Sequence, residues 1–114
     1  MSSISTHILD LTAGKPGVGI AVVLERKSHS AGWQTVGEGI SDTDGRVKGM
    51  IRSGEVFLPG HYRLIFETGP YFLLRGIESF FPQVLISFSV KDATQNYHVP
   101  LLLSPFGYST YRGS

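Results

Sequence analysis

The sequence has 114 residues, 41% hydrophobic and 17% charged, enough for a single domain, 1–114, whose one core buries roughly two-thirds of the unfolded surface. Ten basic and nine acidic residues are scattered along the chain to a net charge of +1, so no electrostatic footprint for nucleic acid or a membrane is expected. With no cysteine, disulfides, thiolate metal sites and a cysteine nucleophile are excluded.

The chain opens on "MSSISTHILDL", which has neither a basic leader nor a continuous apolar stretch. No later run approaches the ~20 apolar residues of a spanning helix. A soluble, cytoplasmic protein is the expectation. Short β-prone runs then follow one another with almost no helical period. Strands are predicted over 4–11, 18–26, 33–40, Arg46 to Ile51, 61–68, 82–90, 96–104 and 108–113. Eight strands fit a two-sheet sandwich. The clearest alternation sets Val84, Ile86, Phe88 and Val90 against Leu85, Ser87 and Ser89, as a half-buried strand requires. Turn signals separate the runs in "AGKPG", "SDTDG" and "FLPGH", where Gly, Pro and Asp supply the backbone angles that turns need. Only "PYFLLRGIESFF", 70–81, resists a strand reading: Pro70 at a first helical position with Tyr71, Leu74 and Ile77 at helical spacing predicts one short helix. No repeat, linker or second domain is visible.

Four histidines are candidates for chemistry. His29 lies in the polar loop "RKSHSAGW" and His61 follows Pro59-Gly60 at a strand start, so both read as solvated side chains. His7 and His98 sit mid-strand among apolar residues, where an imidazole is costly to bury unless hydrogen-bonded. Each alone also fits a structural histidine; the pair is the stronger hint. Neither comes with the ligand spacing or carboxylate cluster of a metal site, so no metal is expected. Arg46 follows the turn "TDG" and Arg112 lies near the end of the chain. Singly, both also fit solvent-facing cations. Tyr111 equally suits a core or an interface.

Taken together these residues form a recognisable pattern. "STHILDLTAGKPGVGIAVVLER", "TDGR", "ETGPYF" with "FFPQVLISF", and "YHVPLLLSPFGYSTYRGS" resemble the 5-hydroxyisourate hydrolases, the transthyretin-related enzymes of urate breakdown. The resemblance covers nearly the whole chain, and the final "YRGS" is its most specific element. It implies an all-β, transthyretin-like eight-stranded sandwich of two four-stranded sheets with one short helix. It also implies a homotetramer, a dimer of dimers, with sites in a channel at the dimer–dimer interface, and no cofactor. Carried over position by position, the implied site is His7, Arg46, His98 and the tail Tyr111, Arg112, Gly113 and Ser114.

The implied reaction opens the six-membered ring of 5-hydroxyisourate at a cyclic amide, giving 2-oxo-4-hydroxy-4-carboxy-5-ureidoimidazoline. Water must be deprotonated, and an imidazole is a neutral base at pH 7. His98 is assigned that role and His7 the orientation of substrate or relay of a proton, with the swapped assignment open at this point. Arg46 offers paired planar donors to the tetrahedral intermediate, a fork that lysine lacks. Tyr111, Arg112, Gly113 and Ser114 would complete the binding wall; Ser114 has no Ser-His-Asp partners that would make it an acyl nucleophile. The alternatives are a carrier of small aromatic ligands, as transthyretin is, and a noncatalytic binding module.

Overall fold

Successive side chains of a strand point to opposite faces, and the burial of β7 (Val84–Val90) follows this rule, with Val84, Ile86 and Val90 buried and Leu85, Ser87 and Ser89 exposed. The computed structural model describes residues 3–30 and 32–114. The other strands are β1 (Ile4–Asp10), β2 (Lys15–Pro16), β3 (Ala21–Ser28), β4 (Gly32–Ile40), β5 (Arg46–Val47), β6 (Gly60–Phe66), β8 (Tyr97–Ser104) and β9 (Gly107–Thr110). Among the described residues a single helix, α1 (Thr68–Leu74), lies between β6 and β7. One sheet runs β4-β3-β6-β7 and the other β2-β1-β8-β9, with β5 also paired to β1. Their inner faces meet in one core to which Ile4, Ile8, Leu101 and Leu103 contribute from one side and Leu24, Leu64, Phe66 and Val84 from the other. Each such side chain contributes about 1.5–3 kcal/mol on burial. No helix among the described residues is long and apolar enough to cross a membrane.

The two-sheet sandwich is the one expected, with differences at the edges. The sheet containing β1 has five strands rather than four, because the free edge of β1 is shared. β5 lies along Thr6–His7 and β2 along Leu9–Asp10. Gly45 lets these segments meet: its φ is 77° and an added Cβ would overlap the Ile8 carbonyl. The segment predicted as a strand from Arg46 to Ile51 pairs only at Arg46–Val47, and the last strand ends at Thr110 instead of 113.

The helix is shorter than the predicted 70–81 and starts earlier, at Thr68. Pro70 is its third residue, still in the first turn, where a missing N–H leaves no bond unmade. Gly76 ends it. With φ at 68°, Gly76 donates to Leu73 O while Ile77 donates to Phe72 O, both at 3.0 Å, the paired bonds of a Schellman cap. The helix is tied back to β1 by Tyr71, whose hydroxyl donates to Asp10 Oδ2 at 2.6 Å.

Candidate active site

The alternation in β1 buries Ile4, Thr6, Ile8 and Asp10 and turns Ser5 and His7 outward. In β8 the same period buries Tyr97 and Val99 and leaves His98 outward and half-buried. This removes the difficulty of two imidazoles among apolar neighbours: the neighbours face the core and the imidazoles do not. Pairing then fixes who meets whom. His7 is opposite Arg46 across the antiparallel β1–β5 pair, and Ser5 is opposite His98 across the parallel β1–β8 pair. Three strands thus bring His7, Arg46 and His98 to one outer face.

The turn before β5 is built by Asp42. Its Oδ1 accepts the backbone N–H of Asp44 at 2.9 Å and of Arg46 at 3.0 Å, while its carbonyl accepts Gly45 N–H at 2.9 Å. The bond from Arg46 N–H leads the causes that hold the Asp42 carboxyl below its ordinary range. The turn delivers a second group to the site, because His7 Nε2–H donates to the Asp44 carbonyl at 2.8 Å. In the neutral ring that bond selects the tautomer with the proton on Nε2 and the lone pair on Nδ1.

His98 is held differently. Its Nδ1 lies 2.9 Å from Ser5 Oγ, and among the described residues Nε2 has no hydrogen-bond partner. Burial, and then the charges of Arg46 and His7, lower its pKa below the ordinary 6.5, so the ring is neutral at pH 7. The Arg46 guanidinium likewise makes no hydrogen bond among the described residues, and its donors are open.

The tail closes the face. After β9 the chain leaves the sheet and rejoins it at one bridge, where Gly113 N–H donates to the His98 carbonyl at 2.8 Å. His7, Arg46, His98, Tyr111, Gly113 and Ser114 together line a cavity of about 680 Å³. Arg112, expected on the substrate wall, is not among the cavity's lining side chains. Its guanidinium lies 4.6 Å from the centre of the Tyr97 ring and donates to Gln95 Oε1 at 3.1 Å.

Ser3, Ser5, Lys48 and Asn96 also line the cavity and were not singled out from the sequence. A period-two count would have found two of them, since Ser5 shares a face with His7 and Lys48 continues the outward direction of Arg46. His61 lies on the other sheet, its Nδ1 3.1 Å from Ser89 Oγ, and His29 is exposed in a turn. Among the described residues no three His, Asp or Glu side chains come together as metal ligands would.

Known proteins are similar to this chain in sequence and fold. Residues 4–113 match the family model for transthyretin, described as the HIUase/Transthyretin family. The 5-hydroxyisourate hydrolase of Salmonella typhimurium is 47% identical over 111 residues, 97% of this chain and 80% of that protein. The solved structure of Klebsiella pneumoniae 5-hydroxyisourate hydrolase superposes with a TM-score of 0.84 at 37% identity, covering 99% of this chain and all of that one. Sea bream transthyretin in complex with thyroxine superposes at 0.88 with 28% identity, over 96% of this chain and 93% of that one. A family match spanning nearly every described residue, together with relatives alike over 80% or more of their own length, places this chain in the HIUase/transthyretin family.

Proposed function

We propose that this chain is a single-domain hydrolase, 1–114, that opens the cyclic amide of 5-hydroxyisourate with a water activated by His98. The observation that carries the reading is the convergence on one cavity of two imidazoles, a guanidinium with no hydrogen-bond partner among the described residues, and Tyr111, Gly113 and Ser114 of the tail. A carrier of small aromatic ligands has no use for that set. The relatives from Salmonella typhimurium and Klebsiella pneumoniae reported above bear the name 5-hydroxyisourate hydrolase.

The geometry favours His98 over His7 as the base. His7 Nε2 is committed to the Asp44 carbonyl, whereas His98 Nε2 has no hydrogen-bond partner among the described residues and its depressed pKa keeps it unprotonated. In the reaction, water loses a proton to His98 Nε2 as its oxygen bonds to the amide carbon. The resulting oxyanion takes the open donors of Arg46, where charge-assisted bonds count most. The C–N bond then breaks, and the proton held by His98 passes to the departing ring nitrogen. Collapse leaves a carboxylic acid, which loses its remaining proton to solvent to become a carboxylate, on the same molecule as the opened ureido arm. His7 orients the substrate, while Tyr111, Gly113 and Ser114 form one wall.

The proposed setting is a cytoplasmic homotetramer, a dimer of dimers, working without a cofactor. Supporting the oligomer, β7 and β9 each end a sheet and expose Leu85 and Tyr108 beside Phe80 and Phe106, and bare apolar edges invite pairing. To test the activity, 5-hydroxyisourate is generated in situ from urate with urate oxidase and followed by ultraviolet absorbance. The protein should accelerate its loss; a rate equal to spontaneous decay would overturn the reading.

A further inference from the structure

We propose that Ser5 is a positioning residue for His98: its hydroxyl oxygen accepts the Nδ1 proton and so keeps the reactive lone pair on Nε2. The role rests on the reading of His98 as the base.

Three observations meet here. Ser5 and His98 are direct partners in the parallel β1–β8 register, and both belong to the outward set of their strands, so their side chains rise from the same face side by side. Ser5 Oγ stands 2.9 Å from Nδ1, and among the described residues it has no other hydrogen-bond partner. The ring is also confined on its Cδ2 edge, where a Cβ at position 113 would come within 2.6 Å of that carbon. A ring hemmed in by Gly113 and bonded through Nδ1 has one nitrogen left for the cavity.

The chemistry requires that nitrogen to be the unprotonated one. A neutral imidazole carries a single N–H, and which nitrogen bears it is set by the partner of the other. With Nδ1–H donating to Ser5, the lone pair resides on Nε2. When water transfers its proton there, the ring becomes imidazolium with two N–H groups, and the Ser5 oxygen goes on accepting at Nδ1. No proton crosses to Ser5 at any stage, so the hydroxyl is needed for alignment and tautomer alone. Alanine at position 5 would free Nδ1, let the proton settle on Nε2 in part of the molecules, and leave those molecules without a base.

Two readouts test this on the full chain with Ser5→Ala and Ser5→Thr. Nitrogen-15 NMR of His98 in the substrate-free protein, above its titration, should show the proton on Nδ1 in the wild type and in Ser5→Thr. In Ser5→Ala a substantial Nε2–H population should appear. Steady-state turnover of 5-hydroxyisourate should lose about tenfold in kcat in Ser5→Ala, the size of one hydrogen bond, with KM little changed and with recovery in Ser5→Thr. A wild-type ring protonated on Nε2, or a Ser5→Ala protein with unaltered tautomer and kcat, overturns the proposal. The NMR result needs no turnover, so it decides the role of Ser5 even if 5-hydroxyisourate proves not to be the substrate.

Discussion

Gly113 meets His98 across an isolated β-bridge, its N–H 2.8 Å from the His98 carbonyl, and an added Cβ would stand 2.6 Å from the imidazole Cδ2. The backbone does not demand glycine here, since Gly113 is absent from the glycines with positive φ. The ring demands it. Gly113→Ala should therefore push the imidazole aside and cut turnover by about 10- to 100-fold, the scale of a misplaced catalytic group, while thermal unfolding barely moves. Equal turnover in the variant would show that the ring has slack and that its placement is not critical.

The acid limb of the rate should report His98. Its pKa is lowered by burial first and by Arg46 and His7 next, so the midpoint of the fall in turnover should lie below pH 6.5. The same shift has a stability sign. A folded pKa below the unfolded value means that the unfolded chain binds the proton more readily, so stability is full above the unfolded pKa and declines as pH falls through the folded one. His98→Asn should abolish most turnover and remove this group's share of the acid destabilisation. A rate midpoint above 6.5 would contradict the assignment.

Arg46 has neighbours but no hydrogen-bond partner among the described residues, as befits a donor set kept open for a ligand. Arg46→Lys preserves the charge beside His98 and loses the planar fork. Turnover should drop by about tenfold or more with the oligomeric state unchanged. Wild-type kinetics would reduce Arg46 to a surface cation.

Much of this was legible because strands write their faces into the sequence. The alternation around Val84 to Val90 marked a half-buried strand directly, and the period-two company of His7 and His98 held their outward direction for anyone counting parity. The helix end at Gly76 was also visible as a glycine after "FLLR", though the longer apolar run to Phe81 outweighed it. What the sequence did not carry was pairing across long separations. That Ser5 lies opposite His98, and Lys15–Pro16 beside Leu9–Asp10, depends on register between distant segments. Arg112 failed for a related reason: the residue types of the tail suggest a ligand grip, but the partners Tyr97 and Gln95 become neighbours only once β8 and the tail are folded together.

Asp10 and Tyr71 form a buried pair away from the cavity, with Asp10 2% exposed and also accepting backbone N–H groups of Thr12 and Ala13. Burial and the bond to Asp10 push the Tyr71 hydroxyl up to about 12. Because the folded pKa exceeds the unfolded value, this contribution to stability is complete below pH 10 and is lost as pH rises through about 12. Tyr71→Phe leaves a carboxylate oxygen unpartnered and should cost about 1–3 kcal/mol in denaturant unfolding, with turnover per folded molecule intact. A variant of unchanged stability would show that water replaces the hydroxyl at no cost.

The tail separates binding from folding. Beyond Thr110 it is secured by the Gly113–His98 bridge and by Arg112, through its bond to Gln95 and its stacking on Tyr97. None of residues 111–114 belongs to the core, so deleting them should leave the sandwich folded, while the wall formed by Tyr111, Gly113 and Ser114 disappears and turnover with it. Arg112→Ala is the finer probe. It keeps every wall residue and removes only an exposed cation–π contact and one hydrogen bond, together about 1–2 kcal/mol, so the tail should spend more time detached and turnover should fall severalfold. The expected order of activity is wild type, then Arg112→Ala, then the deletion, measured with 5-hydroxyisourate alongside circular dichroism. Full activity in the deletion would remove the tail from the site. An Arg112→Ala protein as inactive as the deletion would mean that the guanidinium swings from Tyr97 to meet the substrate, and its role as an anchor would be wrong.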